Sequence, residues 1–296
     1  MNAVKNTLSL CVYPLTMALV PTVAWIAWSQ GIQEILILSL CALSVVALLT
    51  ALERWMPAHE QWSHDHGDTR TDLLHHLHAL AIPGLHQWSI AALVLLLTPW
   101  LHDFTQSTIW PESWPFALQL ALALVVMDAG TYWGHRLVHS VPWLWRLHEI
   151  HHSAPRMYWL NAQRFHPLDL WVLQGFALIP LLCAGAPAHV VLVLSALSMT
   201  HALFQHSNTR QRTRLLDPLF STANVHRWHH AHSPQHVNFG GILSIWDALF
   251  GTRGAHTATP STAQLARHAS SAPNGFVAQL FHPWSERSSH TSRRSS

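Results

Sequence analysis

The chain has 296 residues, half of them hydrophobic and only 10% charged. Soluble globular proteins carry about 25% charged residues, so an ordinary water-soluble domain is excluded. Lys and Arg number 16 against 14 Asp and Glu, a formal net charge of +2, and no basic field argues for a nucleic-acid partner.

A helix needs about 20 apolar residues to cross a hydrocarbon layer about 30 Å thick. The sequence predicts six such spans, near 8–29, 32–52, 79–101, 115–133, 168–186 and 188–206, the last two joined by Ala184-Gly185-Ala186-Pro187. The first is long and lacks a small-residue cleavage pattern, which marks it as a retained helix rather than a signal peptide. If the N-terminus lies inside, all 16 Lys and Arg fall on the inner side, the bias of cytoplasmic loops. Two half-length re-entrant helices over 168–206 would place the charges equally well. The expected fold is all-α, a polytopic membrane helical bundle with a cytosolic histidine-rich helical cap, both termini cytoplasmic.

Cys11, Cys41 and Cys183 sit in apolar runs without Cys-x-x-Cys spacing, against a disulfide framework, a zinc ribbon or an iron–sulfur cluster. Many of the 16 tryptophans, Trp100, Trp110, Trp114, Trp143 and Trp145 among them, fall near span ends and read as a membrane-interface belt. Histidine is the anomaly, with 26 residues concentrated in a few segments. One group, His75-His76-Leu-His78 with His59, His64 and His66, lies among Asp65, Asp68, Arg70 and Asp72 and reads as a solvated, headgroup-facing surface.

Three other segments are different in kind: His135-Arg-Leu-Val-His139, His148-Glu-Ile-His151-His152 and His226-Arg-Trp-His229-His230. Positions i, i+3 and i+4 share a helix face, so each segment aims two or three imidazoles the same way. Chance supplies about two His-x-x-x-His pairs in a chain of this composition but only roughly 0.2 His-x-x-His-His triplets, and two triplets are present. Eight clustered imidazoles cannot all be protonated, because like charges repel, nor all be buried without partners. Divalent ions on their lone pairs remove both problems. Eight nitrogens suit two metals with positions left open, and imidazole alone does not name the metal. Asp128, two helical turns before His135, is expected to orient an imidazole or pair with an inner arginine, and Asp247 is a weaker candidate of the same kind. His201 reads as a polar lining residue and His166, before a proline, as a cap or supporting group. No Gly-x-Gly-x-x-Gly occurs, so redox chemistry would need electrons from another protein.

At these residues the chain resembles the fatty acid hydroxylase/sterol desaturase superfamily of membrane oxygenases. The resemblance rests on the order and flanks of three boxes. The first is Asp128…Tyr132…His135-Arg136…His139. The second is Leu147-His148-Glu-Ile-His151-His152-Ser153, continued by Arg164-Phe165-His166-Pro167. The third is Val225-His226-Arg-Trp-His229-His230, leading into Asn238-Phe239-Gly240-Gly241 and Leu243-Ser244-Ile-Trp246-Asp247-Ala-Leu-Phe250-Gly251-Thr252. Phe204-Gln-His206-Ser-Asn208 is similar to the family's additional histidine before the last box. The resemblance covers about residues 50–253. It implies a non-haem di-iron centre of two Fe ions, O2 as co-substrate, a membrane lipid substrate, and reducing equivalents from a separate redox protein such as a ferredoxin or a cytochrome b5-like protein with its reductase. On this reading residues 1–53 are N-terminal transmembrane helices, 54–253 the catalytic domain and 254–296 a mobile tail. The metal-ligand candidates are His135, His139, His148, His151, His152, His206, His226, His229 and His230.

Two rivals use the same residues. His148-Glu149-x-x-His152 satisfies the zinc metallopeptidase pattern, in which Glu activates a metal-bound water, but it leaves the other boxes without a role. A metal transporter would need ligands near the bilayer midplane, whereas these histidines lie at span ends.

Overall fold

The computed structural model describes residues 3–81, 90, 92–94, 96, 109–231, 237–254, 260, 265 and 272–285. The named elements are α1 (Ala3–Ser29), α2 (Glu34–Trp55), α3 (Thr69–Ala81), α4 (Phe116–Ser140), α5 (Pro142–His148), α6 (Pro167–Cys183), α7 (Ala188–His206), α8 (Ala223–His229), α9 (Ile245–Leu249) and α10 (Phe276–Phe281), with short 3-10 turns at Glu60–Ser63, His151–Ser153, Trp159–Gln163 and His282–Trp284. Among the described residues there is no strand, only two isolated bridges. The all-α membrane bundle expected from the sequence is the fold observed.

Helices α1, α2, α4 and α7 are long and apolar enough to cross a membrane. Their outward faces show why: Leu15, Leu19, Leu36, Leu40 and Leu43 are exposed, as lipid-facing side chains must be. Helix α6 has 17 residues, about 26 Å at 1.5 Å per residue, short of a full crossing. The span expected over 79–101 lies outside the described residues apart from the end of α3 and a few positions between 90 and 96, as do Trp100, His232 and His236.

Helix α7 is the axis of the bundle, packing on α1, α2 and α4. Val12, Leu49, Leu203 and Phe204 belong to one apolar cluster, and Met127, Leu181, Leu194 and Ile242 to another. The contact of α4 with α6 is closest at Gly130. A Cβ there would stand 2.0 Å from the Phe176 carbonyl oxygen, and one at Gly134 would meet the Phe176 side chain at 2.9 Å. Gly130-x-x-x-Gly134 is thus a small-residue stripe that lets two backbones approach in lipid, where close packing replaces the hydrophobic drive.

The helix ends that carry histidines share one end of the bundle with the start of α1 and the end of α2. Lys5 Nζ donates to Trp55 O (2.6 Å), Arg210 N to Met56 O (3.0 Å) and Arg212 N to Ser9 O (2.7 Å). Helix α3 lies at this end with its polarity turned inward. Leu73, Leu77 and Leu80 are exposed while Asp72 and His75 are buried. Asp72 takes Arg164 Nη1 (2.7 Å) and Tyr158 OH (2.8 Å), and Arg156 Nε reaches Asp68 (2.9 Å). His75 was expected on a solvated surface. Instead its Nε2 meets Gln279 Oε1 at 2.7 Å and its Nδ1 meets Phe165 O at 3.2 Å, because α10 covers it. Residues 272–285, within the stretch expected to be a mobile tail, are therefore a docked segment: His166 Nε2 donates to Leu280 O, and Arg146 donates to Ser285 O.

Gly130→Ala is expected to destabilise the protein by about 1–3 kcal/mol through overpacking, and Gly134→Ala by less, because its neighbour is a side chain that can move. Thermal unfolding of both variants in detergent checks the order.

Candidate metal centre

The nine histidines singled out from the sequence come together at the shared end of the bundle. They form two adjacent groups, His135, His139, His148, His152 and His229 in one, and His151, His206, His226 and His230 in the other. Within each group one nitrogen per ring lies within 4.8 Å of all the others, and every member is buried. The groups abut: the His152 and His230 rings stack with centroids 4.3 Å apart, and His148 and His151 are 5.2 Å apart. Helix α4 supplies His135 and His139 from its last turns, α5 ends on His148, α7 ends on His206, and α8 carries His226 and His229.

Four of the nine rings are held by their outer nitrogen. His135 Nδ1 donates to Phe239 O (2.9 Å), His229 Nδ1 to Val237 O (2.8 Å), His148 Nδ1 to Asp169 Oδ2 (2.8 Å) and His206 Nδ1 to Asn161 Oδ1 (3.1 Å). A neutral imidazole that donates from Nδ1 has its lone pair on Nε2. Those lone pairs converge. The Nε2 atoms of His135, His148 and His152 are buried without a hydrogen-bond partner. The Nε2 atoms of His139 and His229 are 3.1 Å apart, and His226 Nε2 is 3.0 Å from Nε2 of both His206 and His230. Burial, reinforced by neighbouring imidazoles, holds His151, His152, His226 and His230 well below the ordinary histidine pKa, so they are neutral, as a metal ligand must be. Buried, unpaired nitrogen lone pairs facing one another fit divalent cations in both groups.

The residues around the rings depart from expectation at two points. Asp128 neither orients an imidazole nor pairs with an arginine. It accepts from Ile242 N (2.6 Å), Leu243 N (2.8 Å) and Trp246 Nε1 (3.1 Å). Asp247 accepts from Phe239 N (2.8 Å), Gly240 N (2.8 Å) and Thr252 Oγ1 (2.7 Å). A buried carboxylate is satisfied best by several convergent donors, and the loop 238–247 wraps both to supply them. Gly240 and Gly241 are needed for this, since a Cβ would lie 2.9 Å from Asp247 Oδ2 and 2.8 Å from Asp128 Oδ1 respectively. Asp247 acts at one remove, by fixing the peptide whose carbonyl orients His135.

His201 is a lining residue as expected, its ring spanning Tyr13 OH (2.9 Å) and Ser221 O (3.1 Å). His166 caps α6, accepting from Leu168 N at 3.1 Å. Trp145, assigned to the interface belt, instead packs on His139 and His152 with ring centroids 5.0 and 5.3 Å away. The sequence reading missed Asp169, Asn161 and Phe165, whose ring stacks on His151 at 4.1 Å. Asp169 had a signal: it is the one charge in the apolar run 168–186, where an ionisable group marks a functional position. Glu149, the general base of the peptidase rival, is engaged by His282 Nε2 at 3.1 Å.

A helical membrane bundle with two buried histidine groups at one end defines a membrane metalloprotein. The fatty acid hydroxylase family model matches residues 120–252. An ornithine lipid hydroxylase of Rhizobium tropici is 35% identical over 83% of this chain and 75% of its own length. The human alkylglycerol monooxygenase is 26% identical over 53% of this chain and 35% of its own, and a C-4 methylsterol oxidase of Schizosaccharomyces pombe 27% over 58% and 64%. No solved structure matches. The chain belongs to the fatty acid hydroxylase family of the sterol desaturase superfamily. It is an integral membrane oxidoreductase, an oxygen-dependent lipid oxygenase, and neither the peptidase nor the transporter reading finds support.

Asp169→Asn, which removes the charge holding His148 Nδ1–H, is expected to weaken metal retention by about 10–100-fold. Metal content after graded dialysis against a chelator measures it.

Proposed function

We propose that the two groups each hold one iron, and that the enzyme oxidises a C–H bond of a membrane lipid with O2 and electrons from a separate redox protein. In this reading His135, His139, His148, His152 and His229 serve one ion and His151, His206, His226 and His230 the other. The observation that carries it is a cavity of about 390 Å³ that reaches both groups at once, touching His135 and His148 of the first and His151, His206 and His226 of the second. Its walls are largely apolar, with Met127, Leu170, Leu173, Leu178 and Met199, as an alkyl chain requires.

Two bound irons supply the redox chemistry that reduces dioxygen and takes hydrogen from an unactivated C–H bond. The protein's own part is positioning and exclusion. Phe239 O, Val237 O, Asp169 and Asn161 fix the ring tautomers, so the lone pairs need no rearrangement on binding. Phe165 and Trp145 cover the rings with aromatic surface, keeping bulk water from the reacting carbon. Hydroxylation is favoured over desaturation by the names of the relatives, hydroxylase and monooxygenase. Because the similarity to the ornithine lipid hydroxylase runs over 83% of this chain, amino-acid-headed lipids are the first substrates to test.

The bias of Lys and Arg supports histidine boxes and both termini on the cytoplasmic side, where a soluble ferredoxin or a cytochrome b5-like donor with its reductase can reach them.

Protein purified anaerobically is expected to contain about two irons per chain, with a non-haem Mössbauer signature, and to consume O2 with a reduced ferredoxin and lipid. Full activity with a single zinc and without O2 would overturn the proposal. His229→Ala is expected to abolish turnover while membrane insertion persists; normal oxidation by that variant would count decisively against it.

A further inference from the structure

The oxygenase cavity is not lined by hydrocarbon alone. Helix α6 reads Pro-Leu-Asp-Leu-Trp-Val-Leu-Gln-Gly-Phe-Ala-Leu-Ile-Pro-Leu-Leu-Cys, and its two strongly polar residues are Asp169, occupied by His148, and Gln174. The Gln174 side chain lines the cavity and makes no hydrogen bond among the described residues. Across the cavity, α7 contributes Ser195 and Ser198. Ser195, like Thr131 and Thr200, donates to the carbonyl four residues earlier, the usual resting state of a hydroxyl in a membrane helix. Ser198 does not, and like Gln174 it has no hydrogen-bond partner among the described residues.

Polar groups inside a bilayer are costly and are kept where they meet something. An amide with two donors and an acceptor, lining the same cavity as a hydroxyl that gives and accepts, matches a group able to do both. Their height is set by helix geometry. Ser198 precedes His206 by eight residues and Gln174 follows Asp169 by five, so at 1.5 Å per residue both lie about 8–12 Å from the histidine level, towards the membrane interior.

We infer that Gln174 and Ser198 form a subsite for an amide linkage of the lipid substrate, and that this subsite sets which carbon is oxidised. The inference rests on the lipid oxygenase reading and names the class of lipid. A chain whose amide is held there presents a carbon about 8–12 Å along its length to the histidines, whereas a plain hydrocarbon can slide and has no preferred position. Gln205, further down α7, plays no part in this, because its amide nitrogen is committed to Ser221 O (2.8 Å) and Gly241 O (3.0 Å).

The test compares two probes of equal length, an N-alkyl hexadecanamide and the corresponding straight-chain alkane, in nanodiscs holding the full, iron-loaded chain, with O2 and a reduced ferredoxin supplying electrons. Binding is read by displacement of a fluorescent fatty probe, and the oxidised carbon by mass spectrometry. The wild type is expected to prefer the amide by tenfold or more and to oxidise it at one carbon. Gln174→Met, close in volume, and Ser198→Ala are each expected to reduce that preference several-fold, and the pair to abolish it and scatter the oxidised positions. Equal affinity of the wild type for both probes, or an undiminished preference in the double variant, would overturn the subsite. Ser198→Ala removes a single oxygen and keeps the test valid where a helix α6 variant folds poorly. Amide-selective binding without oxidation of either probe would retain the subsite and sink the oxygenase reading instead.

Discussion

Nine imidazoles buried together at the end of an apolar bundle cannot all carry charge, and a neutral imidazole has one nitrogen that must give a proton and one that must find something to accept. The protein resolves the first half with its own oxygens. Carbonyls of Phe239 and Val237, the Asp169 carboxylate and the Asn161 amide take the N–H groups on the outside, which leaves the lone pairs pointing inward at one another. The second half is one that cations could resolve, since facing Nε2 atoms 3.0–3.1 Å apart share at most one proton per pair. Membrane helices, cap and loops are arranged so that this division between outer donors and inner acceptors holds for every ring whose tautomer is fixed.

That arrangement is built from distant stretches of chain, which is why so much polar chemistry is buried beside it. The loop 238–247 is anchored by two carboxylates rather than by regular structure. Asp128 reaches it from the middle of a membrane helix and Asp247 from within, and together they take up four backbone N–H groups. Asn238 adopts a left-handed backbone with φ 61° to enter the turn. On the opposite side, α10 bears on His75, and His75 on the carbonyl of Phe165, whose ring lies against His151. Arg227 is buried as well, donating to Ser207 O and Thr209 O, and burial pushes its pKa down to about 10.

The histidine groups and the membrane bundle were legible in the sequence because both depend on local patterns: runs of apolar residues for the spans, i, i+3, i+4 spacing for the boxes. His206 was found through its flanks and stands where they suggested. What was not legible depended on long-range placement. Asp128 has the spacing of a ring-orienting residue on the His135 stripe, yet its carboxylate points to a loop more than a hundred residues away, and no helical periodicity could reveal that. Trp145 has the composition of a belt residue, but its helix turns it towards the rings. The segment 272–285 has too little periodicity to read as a helix; it is ordered by partners, Arg146, Glu149 and His75, that lie in two other segments. Gly130-x-x-x-Gly134 is a local signal of close helix approach, since small residues four apart let two backbones meet.

The split of the triplets explains why two of them are needed. In both triplets the rings at i and i+4 stay together while the ring at i+3 diverges. Here His148 and His152 join one group while His151 turns to the other, and His226 and His230 join the second group while His229 turns to the first. Each box therefore contributes two rings to one group and one to its neighbour, in opposite senses. Neither group can be completed by one segment of chain, so cations in either group would tie both boxes together, and the cap and the centre form as a single unit.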